Sequence, residues 1–280
     1  MHEERELGGR YVLERRIGKG SMGVVYRGRR MADGHEVAIK LIHDDLVRDR
    51  EVRARFEREI MTTAQVEHPG IVSVIDHGSD GATLYLVMDL LRGRTLGQVA
   101  AQEAPLPPAR VGDIGRQIAV ALHAAHEAGL VHRDLKPENV MICRDEAGAD
   151  VVRLMDFGLA IGVNPNSPAG ARMTAQGLRL GTPAFMAPEY ITTGQLDRRS
   201  DLYALGMMLY ELACGELPFR GKGFQLMHHH LTTPPQPLGE RCDAPAWLTS
   251  VVDQLLEKDP ADRLQTGAEL AERLTAEGSS

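Results

Sequence analysis

The apolar residues of this chain change their spacing once, near residue 89, and that change limits the folds open to it. Up to Met88 they fall in short runs, YVLERRI, GVVYRGRR, EVAIKLI, IVSVIDHG and TLYLVMDLL, with turn signals at Asp33-Gly34 and Asp80-Gly81. Alternation and β-branching in these runs predict antiparallel strands. One helix is predicted among them, from about Asp49 to Val66, where charged residues run without Gly or Pro and stop before His68-Pro69-Gly70. Beyond Asp89 the pattern turns helical. Pro107-Pro108 open a helix in which Val111, Ile114, Ile118, Leu122 and Ala125 recur at helical spacing, ending at Gly129. A second helix is predicted from Asp201 to about Cys214, with Leu202, Leu205, Leu209 and Leu212 on one stripe, and others over 223–231, 245–257 and 266–276. Between the first two lie strand-like NVMICRD and DVVRLMDF, then a region from Gly158 to Pro188 with little periodicity. A stretch of that kind inside a compact domain is usually functional. The fold class is α+β: a small sheet with one main helix, a short connection, and a larger, mostly helical part.

Composition narrows the function classes. The chain has 280 residues, 43% hydrophobic and 25% charged, enough for a buried core in one large domain or two small ones. Only 4% are aromatic, so the core is aliphatic, with 12 Met to fill gaps. A net charge of -7 argues against a chain-wide basic surface, and no nucleic-acid partner is expected. Cys143, Cys214 and Cys242 are widely spaced and odd in number, and read as reduced thiols in a cytosolic setting. The sequence lacks an 18-residue apolar run, and MHEERELGGR is too polar for a signal peptide. His228-His229-His230 lack partners at zinc spacing, so no metal cluster is expected.

Four local motifs carry chemistry. Gly18, Gly20 and Gly23 form G-x-G-x-x-G, but VVYRGRR after Gly23 is strand-like, not helical as a dinucleotide fingerprint requires. The context favours a glycine hairpin over phosphates, with an ordinary glycine turn as the alternative. Lys40 stands in the apolar strand EVAIKLI and needs an anion, either Glu59 or a nucleotide phosphate, unless it faces solvent from an edge strand. In VHRDLKPENVMI, Asp134 can take a proton from a hydroxyl, Lys136 can neutralise a phosphoryl group, and Asn139 offers an oxygen to a divalent cation. Asp156-Phe157-Gly158 follows the apolar VVRLM and suits a hard-cation ligand beside a glycine pivot.

The ordered set GxGxxGxV, AIK, a helix glutamate, HRDLKPEN, DFG and APE resembles the eukaryotic-like (Hanks-type) serine/threonine protein kinases of bacteria, from about Tyr11 to Leu274. The resemblance implies a single bilobal catalytic domain over 1–280, with a small lobe at 11–88, hinge at 89–93, large lobe at 94–274 and activation segment at 156–189. It implies transfer of the ATP γ-phosphoryl group to protein Ser/Thr hydroxyls, with Mg²⁺, or Mn²⁺ in its place, and autophosphorylation. Ile17, Gly18, Lys19, Gly20 and Gly23 would cover the nucleotide, with Val25 and Ala38 above adenine and Met141 below it. Lys40 would hold the α/β-phosphates and pair with Glu59. Met88 resembles the gatekeeper, and Asp89 to Leu91 the hinge. Asp134 would be the base, Lys136 would contact the γ-phosphate, and Asn139 and Asp156 would hold the metal.

Further residues follow from the same resemblance. Glu189 should pair with Arg263, Asp201 should brace the His132-Arg133 backbone, and Thr182 should help form the acceptor pocket. Thr63, Val74, His132 and Phe157 would form a regulatory stack, Thr63 being smaller and more polar than the usual aliphatic member. Met22 replaces the common aromatic at the glycine-loop tip. Arg133 before the catalytic Asp implies activation-loop phosphorylation, with Thr174 the first candidate, Ser167 a weaker one, and Arg55 an additional phosphate ligand. The alternative is a loop with no regulatory mark. Protein substrates are the expected partners, with self-association through the small lobe for phosphorylation in trans. The expected location is cytoplasmic, as a free domain or as part of a larger membrane-anchored chain. The competing class is a nucleotide-binding pseudokinase or scaffold, which predicts erosion of Lys40, Asp134, Asn139 or Asp156; all four are present.

Overall fold

The structure is a computed structural model that describes residues 5–20, 22–47, 50–157 and 183–278. Its described residues divide into two compact units, one up to Arg92 and one from Gly93 onward.

The first unit is a six-stranded antiparallel sheet with one long helix. Its strands are β1 (Arg5–Leu7), β2 (Tyr11–Lys19), β3 (Gly23–Arg30), β4 (Glu36–Ile42), β5 (Val74–Asp80) and β6 (Thr83–Asp89), in the order β1-β2-β3-β4-β6-β5. The β3–β4 turn uses Gly34 at φ 73°, a left-handed conformation that glycine adopts at no steric cost. Strand alternation sorts the side chains. Val37 and Ile39 of β4 join Leu7, Tyr11, Leu13, Tyr85 and Val87 in a buried cluster on one face. The intervening Ala38 and Lys40 therefore occupy the opposite face. The helix α1 (Arg50–Ala64) buries Phe56, Ile60 and Thr63, a stripe at helical spacing, close to the predicted span.

The second unit is mostly helical. A small sheet of β7 (Arg94–Thr95), β8 (Val140–Arg144) and β9 (Asp150–Leu154) is antiparallel throughout. The helices are α2 (Leu96–Glu103), α3 (Pro108–Glu127), α4 (Pro188–Thr193), α5 (Arg198–Cys214), α6 (Phe224–Thr232), α7 (Leu238–Arg241), α8 (Ala246–Leu255) and α9 (Gly267–Gly278). The predicted stripe of α3, from Val111 to Ala125, is fully buried. None of the described helices is long and apolar enough to cross a membrane.

Two expectations are corrected here. The helix predicted to open at Asp201 starts three residues earlier, because Asp197 caps it: its carboxylate accepts from Arg199 N, and Ser200 returns a bond to the Asp197 amide. That helix is also not a one-stripe helix. From Ser200 to Ala213 only Glu211 escapes full burial, so α5 is the axis of the unit, and periodicity cannot mark a helix buried on every side. Sequence reading also passed over β1, α2, α4 and α7.

Candidate active site

On the sheet face opposite the buried cluster, β-ladder register brings the first group of candidates together. Lys40 pairs with Val25 on one side and Leu86 on the other; Ala38 pairs with Met88; Gly18 pairs with Val25. Lys40 is buried despite its charge, and Glu59 stands half-buried on α1. The glycines differ in what they permit. A side chain at Gly20 would meet nothing within 4 Å, one at Gly18 only the Val25 side chain, and one at Gly23 would drive into the Leu41 carbonyl. Gly23 thus lets β3 approach β4, whereas Gly18 and Gly20 leave space that a ligand can use. Gly20 N donates to Gly23 O at 2.9 Å, which closes the hairpin. Ile17 and Lys19 are exposed on β2, Asp89 ends β6, and Leu91 lies half-buried just beyond it.

In the second unit a dense polar cluster forms between α3 and β8. The Lys136 ammonium bonds the Asp134 carboxylate. Asn139 Nδ2 donates to Asp134 O at 2.8 Å, so its amide nitrogen is committed to the loop and its carbonyl oxygen is the atom left for a ligand. The backbone carbonyl of Asn139 accepts from Met155 N at 2.9 Å, and His132 Nε2 donates to Met155 O at 2.9 Å. Asp156 follows directly, at φ 62°. The His132 ring packs on Phe157 with centroids 4.7 Å apart. Met141 is half-buried on β8.

A buried aspartate organises this loop from α5. Asp201 accepts His132 N at 2.8 Å and Arg133 N at 3.0 Å. It also accepts His126 Nε2 at 2.7 Å, a contact that sequence reading missed although His126 lies four residues after the buried Leu122. The three bonds compensate a carboxylate only 2% exposed. Arg133 holds φ 67°; a non-glycine residue there costs about 1–3 kcal/mol and persists only where its surroundings fix it.

The Arg263 guanidinium is fully buried and meets Glu189 with two parallel bonds, while its other N–H groups reach the carbonyls of Glu257, Arg199 and Lys258. Ser200 Oγ adds a 2.6 Å bond to Glu189, another contact that sequence reading did not anticipate. Tyr190 on α4 is a third: burial, then the charge of Asp134, raises its hydroxyl above the usual tyrosine range. Gly158, Ser167, Thr174 and Thr182 lie outside the described residues, as does the side chain of Arg55.

The description "Protein kinase domain" matches residues 11–274, nearly the whole chain. The chain belongs to the protein kinase family. This kinase domain is of the Hanks-type, eukaryotic-like serine/threonine class, with a small antiparallel-sheet lobe and a larger helical lobe. It is 38% identical over 278 residues to serine/threonine-protein kinase pkn2 of Myxococcus xanthus, covering 98% of this chain and 33% of that protein. It is 40% identical to pkn3 of the same organism, covering 91% of this chain and 47% of that one. A DNA damage-responsive serine/threonine-protein kinase, RqkA of Deinococcus radiodurans, is 40% identical across 95% of this chain and 39% of its own. The kinase thus spans a third to a half of the length of these relatives. The crystal structure of the Mycobacterium tuberculosis PknI kinase domain superposes with a TM-score of 0.77 at 29% identity, covering 99% of each chain.

Proposed function

We propose that this kinase domain transfers the γ-phosphoryl group of ATP to serine and threonine hydroxyls of proteins, its own included. The observation that carries the reading is the loop 132–139, where a carboxylate, an ammonium and an amide oxygen converge on a backbone pinned by Asp201. Asp134 orients the acceptor hydroxyl and takes its proton as the bond to phosphorus forms. Lys136, already against Asp134, balances charge on the moving phosphoryl group. Gly18 and Gly20 cover the phosphates, Lys40 holds them with Glu59 as its partner, and Ala38, Val25, Met88, Asp89, Leu91 and Met141 serve the adenine.

The donor set fits Mg²⁺. Asn139 and Asp156 are hard oxygen donors, and Mg²⁺ is held by one or two such groups plus substrate phosphates and water, not by a full protein cage. When bound, the ion supplies positive charge to the phosphate oxygens.

We extend the reading to regulation and organisation. Residues 11–88 and 94–274 are the lobes, 89–93 the hinge and 156–189 the activation segment, with Thr174 its phosphorylated residue. Protein substrates, self-association through the small lobe and a cytoplasmic location complete it. The test is incubation of the chain with γ-labelled ATP and Mg²⁺ beside an Asp134→Asn variant. Label on Ser or Thr, reduced about a hundredfold or more in the variant, supports the mechanism. Equal incorporation by both overturns it. A Thr174→Ala variant should lack the major phosphopeptide; an unchanged peptide map removes Thr174 from the reading.

A further inference from the structure

Cys214 and Cys242 are separated by 28 residues in sequence, yet their sulfurs stand 2.7 Å apart. Both are half-buried. Cys214 is the last residue of α5, which Gly215 ends in a left-handed cap; Cys242 follows α7, its amide bonded to Leu238 O at 3.1 Å. The two segments are held side by side by a second link, since Arg241 bonds Glu216, which also takes Arg220. Each sulfur is thus positioned by a helix end, and the ion pair beside them limits their drift. A covalent S–S bond is about 2.05 Å, so well under 1 Å of approach joins them. The pair lacks a third thiol, imidazole or carboxylate to make a metal site among the described residues. Cys143 lies on β8, in a different element.

We propose that Cys214 and Cys242 form a reversible intramolecular disulfide when the kinase meets a peroxide. One thiol of the pair gives up its proton as its sulfur attacks one peroxide oxygen, the O–O bond breaks, and that cysteine becomes a sulfenic acid as water or an alcohol leaves. The other sulfur of the pair then attacks the oxidised one, its proton goes to the departing hydroxyl, and water is released. Two thiols lose two electrons in total, and the peroxide gains them. A dithiol reductant reverses the change by exchange through a mixed disulfide. Burial, and an S–H of Cys214 held against the Cys242 sulfur, raise the Cys214 thiol above its ordinary value, so the pair reacts only when an oxidant is supplied. The crosslink would fasten the end of α5 to the segment after α7 and close a loop containing α6 and α7.

The test is peroxide treatment of the purified chain, followed by thiol counting and non-reducing peptide mapping by mass spectrometry. The expected result is loss of two of the three thiols, a Cys214–Cys242 linked peptide, and full reversal by dithiothreitol. The melting temperature of the oxidised chain should rise by about 5 °C or more, as expected for closing a loop of this length. In Cys214→Ser the sulfenic acid on Cys242 has no resolving thiol and should be trapped by dimedone. Independent sulfinic acids without the linked peptide, a link through Cys143, or disulfide-joined dimers would each overturn the proposal. The peptide map of the unsubstituted chain decides this even if the variant does not fold.

Discussion

Arg263 and Glu189, 74 residues apart, are joined by two bonds of 2.9 and 2.8 Å, and the guanidinium is wholly inaccessible to solvent. Removing one partner strands a charge in the interior, which costs about 3–5 kcal/mol, whereas replacing both by apolar groups of like shape costs far less. Arg263→Met should therefore lower the free energy of unfolding in urea by about that amount. The double variant Arg263→Met, Glu189→Leu should recover part of the loss; equal destabilisation by both variants would deny the pairing its role.

In the proposed mechanism Asp201 is a positioning residue, acting through the backbone of residues 132 and 133. In Asp201→Asn one carboxylate oxygen becomes an NH₂ that faces a backbone donor, so the turn at Arg133 loses a restraint. We expect kcat to fall about tenfold to a hundredfold while the KM for ATP changes little. His126→Ala removes one bond of the three and should give a smaller loss of the same kind. Steady-state kinetics with a peptide acceptor checks both.

The two glycines at the ends of the β2–β3 connection should separate stability from nucleotide use. Gly23→Ala forces a methyl group against the Leu41 carbonyl and should cost about 1–3 kcal/mol in a denaturant titration. Gly20→Ala meets nothing within 4 Å among the described residues and should leave stability within about 0.5 kcal/mol while raising the KM for ATP.

His230 predicts an acid limb in the stability curve. Burial, then the charge of Lys258, holds its imidazole at about 4, below its ordinary 6.5. The unfolded chain therefore binds the extra proton first, and stability that is present above pH 6.5 is lost as pH falls towards 4. The loss is on the order of 3 kcal/mol. Urea unfolding between pH 4 and 7 should show a slope that His230→Asn flattens by one proton; parallel slopes would assign the acid sensitivity elsewhere.

Local pattern announced most of the strands, because β2, β3, β4 and β6 each have one face in a common cluster and carry the alternation that follows. It announced α3 for the same reason. The start of α5 was hidden because its cap, Asp197, is followed by two arginines that read as surface, although the Asp-to-Ser spacing of the capping box was there to be seen. The start of α2 carried a similar signal, Thr95 and Gln98, which cap each other reciprocally. The loop 132–139 was legible because its chemistry is contiguous in sequence. The contacts of His126, Ser200 and Tyr190 were not, since each depends on a partner brought near only by the packing of helices. The cysteines show the limit most plainly: a wide separation in sequence gave no hint that two sulfurs meet.

The all-round burial of α5 has a consequence for how such a domain can change over time. A helix with a wet side tolerates an inserted residue by turning its pattern towards solvent, but α5 has no such side. One added or deleted residue within it would rotate one end against the other by about 100° and shift it by about 1.5 Å. Asp201, near one end, could then no longer face the amides of residues 132 and 133 while Cys214, at the other, kept its place beside Cys242. The helix works as a gauge of fixed length, and substitutions along it are open to drift in a way that insertions and deletions are not.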